Sequence, residues 1–181
     1  MKRNTFIRNS ILALPAFSLK DLKAINSTSK PFVVKAGTSR SGKAMMKYAG
    51  LHPNDVIISK KDTDGAASVF LFIGNDIVGT PLHIHFEQDE YFTVIEGKYR
   101  FVCGDLKTEL EAGDSIFLPR KIAHQWLQIS KKGKLIYAVT PAGELEDFFE
   151  EVNALKAPSI KEIDALALKH GVQHIGPPLE L

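Results

Sequence analysis

Short apolar runs separated by turn-forming residues dominate the chain from Pro31 onward. The runs are rich in β-branched and aromatic residues, and Asp, Asn and Gly stand between them, which is typical of strands joined by tight turns. The predicted strands include Phe32–Val34, Val56–Ile58, Ala67–Ile73, Lys98–Cys103 and Leu135–Thr140. Many short strands at regular spacing predict an all-β barrel or sandwich.

The pattern changes from strand to helix near Gly143. Between Glu144 and Leu155 the apolar residues recur at helical spacing, so that they share one face. Ser159 and Glu162 then form a capping-box pattern that begins a second helix, which is predicted to stop at Gly171. We therefore predict a barrel over 31–143 and a helical tail over 144–181 that packs on it.

The first thirty residues differ from the rest. A basic start is followed by the short apolar run Ile11–Phe17, and this order resembles a secretory signal. The stretch from Arg3 to Arg8 also resembles a twin-arginine motif in which Asn4 replaces the second arginine. We expect segment 1–30 to be an export signal and linker, with a periplasmic location. The alternative is a surface helix on a cytoplasmic protein.

Candidate chemistry lies in the middle of the chain. His83 and His85 stand two residues apart in an apolar run, so on a strand their imidazoles share one face. Glu90 follows at odd spacing and reaches the same face only if the chain bends within Phe86–Asp89. Two imidazoles and a carboxylate suit a transition metal. Glu87 and Asp89 compete with Glu90 as the carboxylate, and the pair of histidines alone is equally compatible with strand residues that bind no metal.

A second stretch supports the metal interpretation. It runs from Gly113 through Pro119 to a third histidine, His124. Gly79, Gly97 and Gly113 stand where strands are expected to end, and glycine readily adopts the positive φ that turns need.

These two stretches resemble the two cupin motifs. Gly79, His83, His85, Glu90 and Gly97 follow the first motif, with two residues fewer after its first glycine, and Gly113, Pro119 and His124 follow the second. Lys121 replaces a motif glycine and Gln128 replaces an asparagine, so the departures spare the ligand positions. The resemblance implies a double-stranded β-helix, or jelly-roll barrel. It also implies one metal held by His83, His85, Glu90 and His124.

The tail from Thr140 to Phe149, with the later Gly176–Leu179, is similar to small cupins related to quercetin 2,3-dioxygenase. This resemblance implies a metal-dependent dioxygenase that uses O2 on an aromatic or flavonol-like molecule, with Glu90 as both ligand and base. The metal would be Fe, Mn, Ni, Cu, Co or Zn. Because the cupin fold serves many functions, a noncatalytic binding module and an isomerase remain alternatives.

Strand parity predicts which side chains accompany the ligands inward. Phe92 follows Glu90, and Trp126 and Gln128 follow His124, while Phe101 lies on the inward face of its own strand. These four would line a pocket for an apolar substrate, or the aromatic residues would form ordinary core. His52, His170 and His174 are expected to be structural or solvated, and Cys103 to be a core residue.

Composition adds exclusions. A chain of 181 residues suits one domain, and a net charge of +2 gives no reason to expect a nucleic-acid partner. The chain contains no apolar run of the roughly 18 residues that a membrane helix needs. A homodimer is predicted, because sheet edges are normally protected and Phe32–Val34 is a candidate for strand exchange.

Overall fold

The computed structural model describes residues 30–42, 45–47 and 51–181. Phe32–Leu181 forms a compact unit, and the fold below is that of its described part. The predicted export signal in 1–30 lies outside the described residues, apart from Lys30. Among the helices of the described part, none is long and apolar enough to cross a membrane.

Two antiparallel sheets face each other, and two helices follow them. The elements in chain order are β1 Met46–Lys47, β2 His52–Ile58, β3 Ser68–Gly74, β4 Val78–Gly79, β5 Pro81–His85, β6 Asp89–Glu96, β7 Lys98–Cys103, β8 Leu106–Glu111, β9 Ser115–Leu118, β10 His124–Gln128, β11 Gly133–Thr140, α1 Leu145–Ala154, α2 Ile160–Lys169 and β12 Val172–Pro178. One sheet has the order β1-β2-β3-β11-β6-β9, and the other β12-β5-β10-β7-β8 with β4 also paired to β10. The predicted all-β jelly-roll barrel with C-terminal helices is confirmed.

The core lies between the two sheets and is largely aromatic. Side chains alternate along β3 and β11, so every second residue is buried, as a strand with one inward face requires. Tyr137 stacks on Phe70 and on Phe92, with ring centroids 4.8 and 5.1 Å away, and Phe72 meets Trp126 edge-on at 5.2 Å. Such offset and edge-on pairs add to the stabilisation from apolar burial.

The two helices begin and end as the pattern predicts. α1 buries Phe148 and Phe149 on its apolar face, and Phe149 meets Phe70 of the barrel edge-on at 5.6 Å. α2 begins at a complete capping box between Ser159 and Glu162. Gly171 follows α2 with φ +80°, a conformation that glycine adopts without steric cost.

After the helices the chain returns to the barrel. The segment 144–181, predicted to be a helical tail, also contains β12 beyond the predicted helix end at Gly171, and β12 pairs antiparallel with β5, the strand that carries His83 and His85. Glycine and proline at 176–178 hide this strand from sequence patterns, and the pairing register shifts there.

Two local predictions are wrong. Phe32–Val34 is not a strand: its backbone pairs with no ladder in the described part of the chain, and Phe32 lies under the Arg40 guanidinium at 4.0 Å. His52 is not in a turn but begins β2, where its ring is buried against Phe72. Three apolar residues form a strand only where a neighbouring strand offers hydrogen bonds. A His-Pro-Asn-Asp stretch forms a turn only where no neighbouring strand pairs with it.

Candidate metal centre

Four side chains from three strands converge inside the barrel. His83 and His85 come from β5, Glu90 from β6 and His124 from β10, and all four are buried. One potential ligand atom from each lies within 4.8 Å of the others. His124 stands directly opposite His83 in the β5–β10 ladder. The chain bends between His85 and Asp89, as predicted, and this bend brings Glu90 to the same face.

Each histidine is oriented through its Nδ1 atom. Nδ1 of His83 bonds to the carbonyl of Pro81 at 2.8 Å, and Nδ1 of His124 to the carbonyl of Ile122 at 2.8 Å. A carbonyl only accepts, so Nδ1 carries the hydrogen in both rings. Nε2 is then left as the lone-pair nitrogen, in the arrangement that histidine ligands of metals usually adopt.

His85 is held by a side chain rather than by the backbone. Its Nδ1 lies 3.0 Å from Oε1 of Gln88, whose own amide nitrogen donates to the Ala142 carbonyl at 2.7 Å. The second bond fixes which end of the amide faces His85, so Nε2 of His85 is also the free nitrogen. Gln88 is buried, and sequence reasoning did not single it out.

The protonation states suit a cation. Burial lowers the pKa of His83 well below its ordinary value and lowers that of His85 as well, so both rings are neutral near pH 7. Burial also opposes a charge on His124, but the adjacent Glu90 carboxylate outweighs it and raises the His124 pKa. Burial alone would raise the pKa of Glu90, yet the surrounding imidazoles lower it to about 2. Glu90 is therefore a carboxylate.

The four residues fit a divalent transition metal. Nε2 of His124 is buried and has no hydrogen-bond partner among the described residues. Burying an unpaired polar atom costs free energy of folding unless a bound group, such as a metal, interacts with it. Oε2 of Glu90 lies 3.3 Å from Nε2 of His124, and Oε1 lies 3.6 Å from Nε2 of His85. Three imidazole nitrogens and a carboxylate suit Fe, Mn, Co, Ni, Cu or Zn and do not distinguish among them.

The competing carboxylates point elsewhere. Asp89 accepts three hydrogen bonds from Arg120, one from its backbone N–H and two from its guanidinium, at 2.8 to 3.1 Å. These bonds lower the pKa of Asp89 to about 2. The Glu87 side chain is 74% exposed, 3.9 Å from Lys121. Neither belongs to the cluster that contains Glu90.

Lys121, which replaces a motif glycine, keeps the glycine's backbone shape. Its φ is +65°, in the left-handed region, and its N–H donates to the carbonyl of His85 at 2.8 Å. The turn before His124 is thus preserved, at the steric cost of about 1–2 kcal/mol that a side chain meets in this region.

The predicted pocket residues divide into two groups. Phe92, Phe101 and Trp126 are buried and face inward, as parity predicts, and Phe92 meets Phe101 edge-on at 5.4 Å. The amide of Gln128 is used within the fold: it accepts from the Tyr99 hydroxyl at 3.0 Å and donates to the carbonyls of Asp76 and Ser130. These contacts occupy both ends of the Gln128 amide within the fold, and a role of Gln128 in binding a substrate stays a prediction.

The remaining histidines lie outside the cluster, but they do have contacts. Nδ1 of His52 accepts from the backbone N–H of Asn75, and His170 lies 3.1 Å from both Glu144 and Glu151. The sequence predicted that His174 is a structural or solvated residue, and in the structure its ring has contacts. Because it lies opposite His83 on β12, its ring packs edge-on against that ligand at 6.2 Å, and Nδ1 lies 2.7 Å from Asp164.

One charged residue inside the barrel was missed. The ammonium of Lys47 lies over three rings, 4.3 Å from the centroid of Phe149, 5.1 Å from that of Tyr137 and 5.9 Å from that of Phe72. Burial lowers its pKa to about 8, against an opposing effect of the Glu90 charge. A lysine between weak strand signals gives no sequence indication that it points inward.

Comparison with known proteins supports the same family. The family model of the cupin domain matches residues 77–140, the segment that holds all four clustered residues. Over this segment the chain is similar to the cupin domain. The strands β2, β3 and β12 lie outside the matched segment and extend the same two sheets.

The proteins that this chain resembles are distant from it in sequence. An uncharacterized protein of Methanocaldococcus jannaschii is 27% identical over 108 residues, which cover 60% of this chain and 76% of that protein. An RmlC-like cupin structure from Shewanella frigidimarina is 19% identical, covers 66% of this chain and 96% of its own, and has a TM-score of 0.52. A double-stranded β-helix protein from Klebsiella pneumoniae is 18% identical over 55% of this chain and 84% of its own, with a TM-score of 0.46. At these identities the likeness concerns the fold.

Proposed function

We propose that this cupin binds one divalent transition metal through His83, His85, Glu90 and His124 and uses it as a dioxygenase. The observation that supports metal binding best is the convergence of three imidazoles and one ionised carboxylate within 4.8 Å in a buried site. Buried charges and unpaired buried nitrogens are costly, so a cluster of this kind is hard to explain without a cation.

The protein would orient the metal ligands, exclude water from the site and supply a proton acceptor. Hydrogen bonds from Nδ1 keep the three Nε2 atoms directed at one point. When bound, a metal supplies a Lewis acid and a template for the substrate oxygen and O2. Glu90 is ionised, so its carboxylate can accept the proton of an incoming hydroxyl. An acidic hydroxyl, as in a flavonol or a catechol, would give up its proton to Glu90 most easily.

The dioxygenase proposal rests on the motif resemblance together with the aromatic interior. Phe92, Trp126 and Tyr137 present rings inside the barrel near the strands that carry the ligands. A flat aromatic molecule would gain apolar burial and ring stacking there. The close packing of these rings on one another favours a second candidate, a noncatalytic cupin that binds metal without turning over a substrate.

Oxygen uptake separates the two candidates. Metal-free protein would be loaded in turn with Fe, Mn, Co, Ni, Cu and Zn, and its metal content measured by elemental analysis. Each form would then be mixed with flavonols and catechols in an oxygen electrode, with His124→Ala as the control. We expect O2 consumption that depends on both metal and substrate with at least one redox-active metal. Stoichiometric metal without any O2 consumption across the panel would favour the noncatalytic cupin.

A further inference from the structure

Two polar groups inside the barrel have no use in the proposed metal chemistry. One is the ammonium of Lys47 on β1, and the other is the amide nitrogen of Asn54 on β2. The two strands form an antiparallel pair in which Lys47 stands opposite His52, two residues before Asn54. Both side chains lie on the inner side of the sheet that also carries Glu90.

Asn54 presents an unused hydrogen-bond donor. The residue is 0% exposed, and its Oδ1 accepts from the Tyr137 hydroxyl at 2.9 Å. That bond leaves Nδ2, which has no hydrogen-bond partner among the described residues. An amide nitrogen buried without an acceptor is destabilising, and in native proteins such a group calls for a specific explanation.

Lys47 presents a cation close to the same tyrosine. Its ammonium lies over the rings of Tyr137, Phe72 and Phe149, and it forms no ion pair with a described carboxylate within 4.0 Å. Ring faces attract a cation but do not replace the hydrogen bonds that its three N–H groups make in water. Tyr137 therefore has an unsatisfied amide donor at its hydroxyl and the cation of a partly buried lysine over its ring.

These donors connect to the metal-ligand cluster through stacked rings. Tyr137 stacks on Phe92, which lies two residues from Glu90 on the same face of β6. Lys47 and Glu90 are also close enough for each charge to act on the other. A molecule placed between these donors and the cluster would have one end near Lys47 and Asn54 and the other near Glu90. At the first end it would meet a positive charge and an amide N–H, which together suit a carboxylate.

We propose that Lys47 and Asn54 bind the carboxylate of a hydroxylated aromatic acid whose hydroxyl end faces His83, His85, Glu90 and His124. This inference rests on the proposed ligand site in the barrel, and it names the substrate class for that site. It does not depend on oxygen chemistry.

The test measures binding with a redox-inert metal, so turnover plays no part. Zn-loaded protein is titrated by calorimetry with 3,4-dihydroxybenzoate and with catechol, which differ only in the carboxylate. The wild type is expected to bind the acid at least about tenfold more tightly, the scale of a charge-assisted hydrogen bond. Lys47→Met is expected to remove most of this preference and to leave catechol binding unchanged. The control Lys134→Met, on β11 of the same sheet, is expected to change neither.

Asn54→Asp provides an independent test. The aspartate keeps an oxygen for the Tyr137 hydroxyl but replaces the amide donor with an acceptor, so binding of the acid should weaken at least about tenfold while catechol binding stays the same. Thermal unfolding of each variant checks that it is folded. Equal affinity of the wild type for both compounds, or a preference that survives Lys47→Met, would overturn the proposal. A carboxylate preference without any O2 consumption would instead leave this site standing and reject the dioxygenase.

Discussion

Nδ1 of His85 donates to Oε1 of Gln88 at 3.0 Å, and both side chains are buried. Gln88 is itself fixed by its bond to Ala142, so this glutamine sets the ring orientation of one proposed ligand. Gly143 lies so close that a Cβ built on it would stand 2.2 Å from the Gln88 amide nitrogen. The loop after β11 is therefore shaped around Gln88.

We expect Gln88→Leu to weaken metal binding while the protein stays folded. Loss of the acceptor frees the His85 ring to rotate or to change tautomer, and removing such a partner usually lowers metal affinity about 10- to 100-fold. Competition with a coloured chelator measures the affinity. The control Gln173→Ala removes an exposed glutamine from β12 and should have no effect. Unchanged metal affinity in Gln88→Leu would show that the hydrogen bond from His85 to Gln88 is not needed for metal binding.

His83→Ala and His124→Ala should each lose stoichiometric metal and remain folded. The barrel core is apolar and does not depend on these rings, and each change removes a polar group that is costly to bury without metal. Elemental analysis and circular dichroism report the two properties. His174→Ala is the matched control, because His174 packs against His83 but lies outside the cluster. Full metal content in either ligand variant would refute the assignment, and outright unfolding would make the metal structural.

Glu90→Gln tests the base. The amide keeps the size of the side chain and one weak donor oxygen, but it cannot accept the substrate proton as the carboxylate does. We expect partial metal retention and a loss of turnover of about a hundredfold or more, the usual contribution of a general base. Oxygen uptake per bound metal is the measurement. Undiminished turnover in fully metallated Glu90→Gln would exclude Glu90 as the base.

The hydrogen bonds between Asp89 and Arg120 should make the stability of the fold depend on pH in the acid range. The folded-state pKa of Asp89 is lowered from 3.8 to about 2 by its bonds to Arg120, so its contribution is fully present above pH 4. As the pH falls from about 4 to 2, the carboxylate is protonated and the contribution is lost. We expect Asp89→Asn to be less stable than wild type at pH 7, with the difference shrinking below pH 4. Urea unfolding with a chelator present measures this, and exposed Asp105→Asn is the control.

We expect the protein to form a homodimer through the outer face of the sheet that contains β6 and β9. Tyr91 and Phe117 stand side by side there, 5.0 Å apart, and are 44% and 48% exposed. Contiguous exposed apolar side chains on a sheet usually mark an interface. Light scattering should give a dimer mass at micromolar concentration, and Phe117→Lys should shift it toward the monomer. Leu106→Lys, at an exposed site of the other sheet, should not. A monomeric wild type would refute the prediction.

Strand parity and motif spacing, together with the resemblance to the cupin motifs, predicted the barrel and the four clustered residues. His83 and His85 share a face because side chains alternate, and Glu90 requires a bend that polar residues supply. Parity alone placed Phe92, Phe101 and Trp126 inward, but it could not distinguish a structural amide from a ligand-binding one. The role of Gln128 depends on acceptors from Asp76 and Ser130, which pattern reasoning does not bring together.

Features that depend on distant partners escaped prediction. β12 is a strand because β5 offers it hydrogen bonds, and its glycine and prolines hide it otherwise. Lys47 lies in a stretch without a motif, and Gln88 occupies a position inside the first motif that the motif does not specify; only the packing of α1 and the loop after β11 gives them their surroundings. Phe32–Val34 shows the converse, since its strand-like composition finds no pairing strand among the described residues and forms none there.

The pairing of β12 with β5 also bears on the order in which the protein assembles. His83 lies in a row between His124 on one side and His174 on the other, contributed by strands far apart along the chain. Closing such long loops costs chain entropy, which slows the formation of both ladders. The strand bearing two of the four metal-ligand candidates should therefore settle late in folding. A metal would then bind to a barrel that is almost completely folded, and it would stabilise the native state without nucleating folding.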